Sequence, residues 1–302
     1  MKKILIAIFA IAAISACNKA DVIEVNKGEA IEFGNVFVDN STKADPSYSA
    51  KDIEKFSVYG TVNNVVIYPG TEVSKTSYGS AWNCGVEQYW IPGAAYKFVG
   101  IVDGNVTGVT TTTLTDNMPT SINYKADGKT DLLCQTITKT ANTDGTSNGL
   151  VAFTFSHLLS KVNFAVTNKS KDAANYSFVV KNITFTGNVE GNYDVATATW
   201  KNFTTGTTKF NDITIEAKAE SAQLVDEVLL LPGDVSISFT VDILCNGTVI
   251  TSTNYPTTGT YTHTLTAANA YNFNIEVSVG EKIEFTVTKK PEWLDNSTVT
   301  LQ

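Results

Sequence analysis

The chain contains 302 residues with a formal net charge of −8, and all 22 of its basic residues are lysines. An acidic chain without arginine has no surface suited to tracking phosphates, so these numbers argue against a nucleic-acid partner. Charged residues make up only 17% of the chain, and Thr, Asn, Ser and Val dominate. This composition is typical of short strands joined by polar turns, and the length favours two domains.

The first 16 residues have the pattern of an export signal. Lys2 and Lys3 form a positively charged start, and Ile4–Ile14 is an uninterrupted apolar run. This run is too short to cross a hydrocarbon core, which needs about 20 residues, but it fits the apolar region of a signal peptide. We therefore predict a signal peptide over residues 1–16.

The end of this signal, Ile14-Ser15-Ala16-Cys17, is similar to the lipobox of bacterial lipoproteins. Small residues before the cysteine fit the signal peptidase, and the Cys17 thiol would then receive a diacylglyceryl group. With an added N-acyl chain, this lipid provides more than the two membrane signals that stable anchoring requires. We predict lipid attachment at Cys17; the alternative is an ordinary signal peptide with an incidental cysteine.

Residues 17–29 are predicted to form a lipidated tether to a folded domain that begins at residue 30. Apolar residues then alternate at Ile31, Phe33, Val36 and Val38, with a phase shift between Phe33 and Val36 that indicates a β-bulge. The pattern predicts a first strand with about four core-facing side chains. A polar stretch over residues 39–46 ends this strand and predicts an exposed turn.

The rest of the first half shows short strands separated by turn signals. Asp103-Gly104 predicts a hairpin turn between neighbouring strands. The most loop-like internal stretch covers residues 141–149, so we predict a domain boundary there, with an N-terminal domain over 30–148 and a C-terminal domain over 149–302. The predicted strands of this half are Phe56–Tyr59, Val65–Tyr68, Tyr89–Ile91, Tyr96–Val102 and Thr107–Thr115.

The second half continues the same style. Alternation is cleanest over Val235–Leu244, and Asn246-Gly247 then gives the strongest signal for a two-residue hairpin turn. No window of the mature chain has a convincing helical period. The sequence therefore predicts an all-β protein made of two tandem antiparallel β-sandwiches. Further predicted strands are Leu150–Val166, Phe178–Thr186, Asn192–Trp200, Phe210–Ala217, Val228–Leu231, Thr248–Thr253, Tyr271–Val277, Ile283–Val287 and Val299–Leu301.

No constellation of residues predicts catalysis. The stretch Gly145–Gly149 matches the G-x-S-x-G pattern around Ser147, but a hydrolase elbow needs a helix after it, and here a strand is predicted. His157 and His263 have no Cys or His at ligand spacing, so we expect neither a metal site nor a cofactor. The protein is predicted not to be an enzyme.

Three cysteines remain after Cys17, namely Cys84, Cys134 and Cys245. An odd number at wide spacing is neither a disulfide framework nor a metal-ligand set. A bond between Cys84 and Cys134 and a set of buried free thiols both remain open.

Several motifs, taken in order behind the lipobox, resemble those of the fimbrillin family, the lipoprotein subunits of type V pili. The resemblance runs over most of the mature chain. It implies a two-domain, transthyretin-like β-sandwich protein carried to the outer membrane and cell surface as part of a fimbria. The motifs are Asn40–Ala44 after the first strand, Tyr89–Gly93 with Tyr96 and Phe98, Phe153–Val162, Tyr193 with Trp200, and Leu229–Pro232.

The resemblance also implies how such a subunit is assembled. A trypsin-like protease cuts after a basic residue that follows the first strand, and a strand of a neighbouring subunit fills the vacated groove. By position, the matching bond is Lys43–Ala44. Family members described as protease substrates carry arginine there, so a lysine-accepting enzyme and no cleavage at all both remain open. The donor is expected from Ile283–Val287 or Val299–Leu301, which also fit internal strands.

The leading hypothesis is a structural or adhesive pilus subunit that polymerises with itself or with other pilins. Its further partners would be a processing protease, the outer membrane through the lipid, and a surface receptor. The alternative is a monomeric surface lipoprotein that binds glycans through Trp82, Tyr89 and Trp90, since aromatic side chains can line a sugar-binding surface but more often pack in a core.

Overall fold

A computed structural model describes residues 28–34, 36–38, 53–77, 79–170, 175–216, 223–224, 227–280 and 283–290, with the backbone alone at 223–224 and 290. These residues form 19 strands and contain no helix. The predicted all-β fold class is therefore confirmed. Within the same ranges, no helix long and apolar enough to cross a membrane is present.

The strands are numbered in chain order. They are β1 Phe37–Val38, β2 Lys55–Val62, β3 Val65–Ser74, β4 Ala95–Val102, β5 Thr110–Thr115, β6 Met118–Lys125, β7 Leu133–Thr140, β8 Thr154–His157, β9 Ser160–Asn168, β10 Tyr176–Asp194, β11 Thr199–Lys209, β12 Ile213–Ile215, β13 Gln223–Leu224, β14 Val228–Leu230, β15 Gly233–Cys245, β16 Thr248–Tyr255, β17 Tyr261–Leu265, β18 Ala270–Val277 and β19 Glu284–Lys290.

Three sheets are formed by these strands. The first has the order β1-β8-β7-β4-β2-β3. The second has the order β16-β15-β10-β6-β5, and β11, β12 and β17 also pair with its central strands. The third has the order β13-β9-β18-β19, with β14 also paired to β9. Pairing is antiparallel except between β1 and β8 and between β9 and β18.

Strand β15 shows how the sequence pattern produces the fold. Four of its alternating apolar residues are 1–3% exposed, because successive side chains of a strand point to opposite faces and only one face meets the core. Asn246 and Gly247 then have φ values of 51° and 79°, as a two-residue hairpin turn requires. The buried residues are Val235, Ile237, Phe239 and Val241.

Two of the three sheets contain strands from both sides of residue 148, the predicted domain boundary. Strand β8 pairs with β7 in the first sheet, and the end of β10 pairs with β6 in the second. The predicted hairpin at Asp103-Gly104 is wrong, because β4 pairs with β2 and β7 while β5 pairs with β6 in another sheet. The division into domains at 148 stays a prediction.

Candidate functional site

The N-terminal segment, here residues 28–34 and 36–38, lies along the edge of the first sheet. Its end pairs in parallel with β8, and Phe33 forms a bridge with Val151. On its other side, Ala30 bridges Tyr89 in antiparallel fashion. Near its start, the segment therefore lies between the backbone at Tyr89 and the backbone at Val151. Further along, it pairs with β8 alone.

Besides the pairing of β1 with β8, five backbone hydrogen bonds hold the described part of the segment in this position. They run from Ile31 N to Gln88 O (2.7 Å), Trp90 N to Glu29 O (2.8 Å), Gly34 N to Val151 O (3.2 Å), Val151 N to Glu32 O (2.8 Å) and Phe37 N to Phe153 O (2.8 Å). Removal of the segment would leave the partner groups of the sheet edge unpaired, which makes such an edge a template for another strand.

Four side chains of the segment enter the core of the first sheet. Ile31, Phe33, Val36 and Val38 are 3–6% exposed, so the sequence-based expectation of about four core-facing side chains is confirmed. At roughly 1.5–3 kcal/mol each, their burial contributes about 6–12 kcal/mol before the entropy of ordering the segment is subtracted. Phe37 points the other way and is 38% exposed.

Phe33 is the centre of this contact. Its ring meets four other aromatic rings at centroid distances of 5.5–6.4 Å. Three of the contacts are edge-to-face and one is stacked, which are the arrangements that aromatic quadrupoles favour. We call the residues around the segment the slot; its aromatic members are Phe56, Tyr68, Phe98 and Phe153.

The start of the segment is fixed by the carboxylate of Glu29. It accepts hydrogen bonds from Ser147 Oγ (2.5 Å), from Asn148 N (2.8 Å) and Nδ2 (2.7 Å), and from Gly149 N (3.3 Å). These bonds, that of Ser147 first and that of the Asn148 backbone next, lower the pKa of Glu29 from its ordinary value of 4.5 to about 2. The loop 147–149 thus acts as a clasp for an anionic side chain.

The clasp loop also has internal hydrogen bonds that do not involve Glu29. Asn142 Nδ2 donates to Ser147 O (2.9 Å), and Asn142 N donates to Asn148 Oδ1 (2.7 Å). Asp144 accepts from Thr146 N (3.0 Å). In the sequence this loop is visible as a loop-like stretch and as a weak G-x-S-x-G match. Its role was missed because Ser147 and Glu29 lie 118 residues apart, and no local pattern joins them.

A groove of about 830 Å³ lies beside the segment. Trp82 is half-buried there against Phe56, and the Lys75 ammonium sits 4.9 Å from the centre of its ring. Trp90 is 4% exposed and packs on Tyr96. The hypothesis of a sugar-binding surface that includes Trp90 is wrong, because a ring buried in the core cannot face a ligand.

The predicted processing residues lie outside the described residues. This applies to the lipobox Ile14-Ser15-Ala16, to Cys17, and to the bond Lys43–Ala44; all of them stay predictions. Of the two candidate donors, Ile283–Val287 is described and falls mainly on β19, an edge strand of the third sheet, whereas Val299–Leu301 lies outside the described residues.

The two histidines make packing and hydrogen-bonding contacts within the fold. His157 Nδ1 lies 2.5 Å from Asp131 Oδ2, and both residues are buried. Burial and the positive charge of Lys289 lower the pKa of His263, which packs edge-on against Tyr271. Among the described residues, no group of three or more His, Cys, Asp or Glu could hold a metal ion.

The three described cysteines are free thiols, so the alternative of a Cys84–Cys134 disulfide is not realised. Cys134 is buried, and burial raises the pKa of its thiol to about 12. Cys84 is half-buried, and its thiol donates to Val86 O (2.9 Å). Cys134 therefore behaves as a small apolar core residue.

Comparison with known proteins places the chain among fimbrial folds. The model of a family described as fimbrillin-like matches residues 35–291. A fimbrial protein from Bacteroides vulgatus superposes with a TM-score of 0.62 at 12% identity, over 88% of this chain and 100% of that one. A search of curated proteins finds no match.

Two further solved structures are similar. A candidate cell adhesion protein from Bacteroides uniformis has a TM-score of 0.51 at 15% identity, and covers 87% of this chain and 97% of its own. Another from Bacteroides ovatus has a TM-score of 0.50 at 18% identity, with 89% and 99% covered. At such identities the likeness establishes the fold.

Proposed function

Because the chain belongs to the fimbrillin-like family, we propose that it is a structural or adhesive subunit of a bacterial cell-surface pilus, with no enzymatic activity. It is exported as a lipoprotein and assembled by strand exchange after proteolysis. Its partners are other pilin subunits, the processing protease, and the outer membrane through the lipid on Cys17. A surface receptor is the expected partner of an adhesive subunit.

One observation supports strand exchange above all others. The N-terminal segment is a separate edge element. Its four buried side chains pack in the core of the first sheet, and the five backbone hydrogen bonds described above join it to residues of that sheet or of loops beside it. Its removal would open an apolar slot beside an unpaired sheet edge. A strand from another subunit can satisfy both at once, as in other cases of strand addition.

The place of the proposed cut follows from the chain order. Lys43 comes five positions after Val38, the last described residue of the segment, and the described chain resumes at Ile53. Hydrolysis after Lys43 would therefore sever the segment from the rest of the first sheet without cutting any described strand. The released piece would carry Cys17 and its lipid.

Limited trypsin treatment of the mature protein tests the proposal. We expect a new N-terminus at Ala44 and SDS-resistant ladders of higher mass, because the opened slot accepts a strand from another molecule. Lys43→Ala should abolish the Ala44 terminus, and Lys43→Ala combined with Lys51→Ala should also abolish the ladders, because a cut after Lys51 would sever the segment as well. Lys51→Ala alone is the matched control, and its ladders should persist. A chain cleaved after Lys43 that unfolds or stays monomeric would contradict strand exchange.

A further inference from the structure

A short repeat connects the N-terminal segment with the last described strand. Residues 28–33 have the sequence Gly-Glu-Ala-Ile-Glu-Phe, and residues 280–285 have the sequence Gly-Glu-Lys-Ile-Glu-Phe. Five of the six positions are identical, and the sixth is Ala30 in the first copy and Lys282 in the second. The same motif thus occurs in the N-terminal segment, which occupies the slot, and again at the beginning of β19 and just before it.

The two copies also share backbone and side-chain features. Gly28 and Gly280 both have positive φ, at 53° and 76°. Ile31 and Phe33 point into the core with the exposed Glu32 between them, and Ile283 and Phe285 flank the exposed Glu284 in the same way. Each copy therefore presents an isoleucine and a phenylalanine on one face, at the same distance from a glycine.

The slot recognises three features of its occupant. The clasp at 147–149 binds the Glu29 carboxylate, a buried position takes Ile31, and the four-ring cluster takes Phe33. Any strand that replaces the segment must supply a carboxylate, an isoleucine and a phenylalanine at the same spacing. The stretch that begins at Gly280 does so.

We propose that residues 280–287 of one molecule occupy the slot of a second copy of the same chain, with Glu281 in the place of Glu29. Ile283 and Phe285 then take the places of Ile31 and Phe33. This inference rests on the proposed strand exchange. It adds the identity of the partner, a second copy, and the residue that fixes the register.

Strand β19 is suited to leave its own sheet. Among the described strands it is an edge strand paired with β18 alone. Its side chains Ile283 and Phe285 are only half-buried, whereas Ile31 and Phe33, whose places they would take, are 4% and 5% exposed. These two side chains would therefore be removed from water more completely in the slot than in their present positions.

The aromatic surroundings of Phe285 favour the same exchange. In its present position, its ring meets four aromatic rings at 4.9–5.9 Å. Phe239, Tyr255 and Tyr261 lie on the second sheet, and Phe273 lies on the third. In the slot it would meet the four rings that now surround Phe33. One aromatic cluster thus replaces another, and the ring contacts are largely conserved.

One difference between the copies has a local consequence. Gly34 aligns with Thr286, and a Cβ at position 34 would lie 2.5 Å from Leu150 Cδ1. Leu150 is 42% exposed, so its side chain has space to rotate away. The proposed register therefore requires a change of the Leu150 rotamer, but no movement of the backbone of the slot.

Cross-linking between two variants tests the register. Tyr89→Cys and Lys282→Cys proteins are prepared separately as full mature chains, cleaved with trypsin, mixed, and treated with a short bis-maleimide. Lys282 would take the place of Ala30, which bridges Tyr89, and both Glu281 and the clasp stay intact. The control pairs Tyr89→Cys with Lys289→Cys, because Lys289 lies further along the same strand. We expect a mixed dimer whose yield is about tenfold higher in the first mixture, since a bound strand raises the local thiol concentration.

Charge reversal gives a second readout that does not depend on the added thiols. Glu281→Lys should lower the yield of SDS-resistant ladders about tenfold, because charge-assisted hydrogen bonds to the clasp are lost. Glu284→Lys changes an exposed residue of the same strand and should leave the yield unchanged.

The outcomes separate this inference from the proposed function. Ladders that form with equal cross-linking in both mixtures, or that withstand Glu281→Lys, would overturn the register while strand exchange stands. Absence of ladders after complete cleavage at Lys43 would overturn strand exchange and the register together.

Discussion

Truncation of Phe33 to alanine is the most direct perturbation of the slot. The ring is 5% exposed and is in contact with four aromatic rings carried by β2, β3, β4 and residue 153. Since these neighbours sit on paired strands, they can collapse only partly into the space left behind. Phe→Ala changes in cores cost about 3–5 kcal/mol, and the rigid surroundings place this one toward the upper value.

The effect should fall first on the attachment of the segment. About 4 kcal/mol corresponds to roughly a thousandfold increase in the equilibrium for local opening. Amide hydrogen exchange measures this at the segment's own bonded amides, Ile31 N, Gly34 N and Phe37 N, while urea unfolding measures the loss in the whole domain. Protection at these amides should fall well before protection in β4 does.

Phe37→Ala is the matched control, because it removes the same ring from the same segment at a position that is 38% exposed. Surface changes of this kind stay within about 0.5 kcal/mol. If Phe33→Ala and Phe37→Ala reduce protection equally, the segment is not held by its buried face, and the description of the slot is refuted.

Three further predictions test other parts of the structure. The pKa of Glu29 is lowered from 4.5 to about 2, so the stabilisation of the segment by its carboxylate is complete above pH 4.5 and is lost as pH falls toward 2. Glu29→Gln should abolish this pH dependence, and hydrogen exchange of the segment at several pH values can check it. Cys134 is buried, and its pKa is raised to about 12, so at pH 8 it should react with a thiol reagent far more slowly than half-buried Cys84. The rate for Cys134 is measured in Cys84→Ser and the rate for Cys84 in Cys134→Ser; equal rates would argue against a core position for Cys134. Gly100→Ala should destabilise the protein by about 1–3 kcal/mol in urea unfolding, because the added Cβ would lie 2.8 Å from both Phe153 Cε1 and Phe155 Cζ; unchanged stability would show that these rings are loosely packed.

The sequence predicted the structure best where the cause of that structure lies in neighbouring residues. The alternation at Ile31, Phe33, Val36 and Val38 predicted four buried side chains, and all four are buried. The turn at Asn246-Gly247 was predictable for the same reason, since its geometry depends on two adjacent residues. In both cases the physical cause lies within a few residues.

The errors came from strands with few apolar residues, from a wrong strand pairing and from a contact between residues far apart in the chain. Strands β6 and β7 were missed because they contain many Thr, Asn and Lys residues and few apolar ones. β5 was predicted to pair with β4, although it belongs to another sheet. The Glu29 clasp escaped notice for a related reason: it joins a segment to a loop 118 residues away, and only the folded chain brings them together.

The position of the segment in the chain has a consequence for release from the membrane. The residues that fill the slot follow directly after the tether predicted to carry the lipid on Cys17. In the assembly that we propose, a cut at Lys43–Ala44 would turn a covalent attachment into a non-covalent one, and the segment would lose the high effective concentration that its linkage provided. The buried face would still oppose its departure, so we expect the cleaved subunit to stay at the membrane until another strand displaces the segment. The event that opens the slot would then also free the subunit from its lipid, and release would require a partner strand.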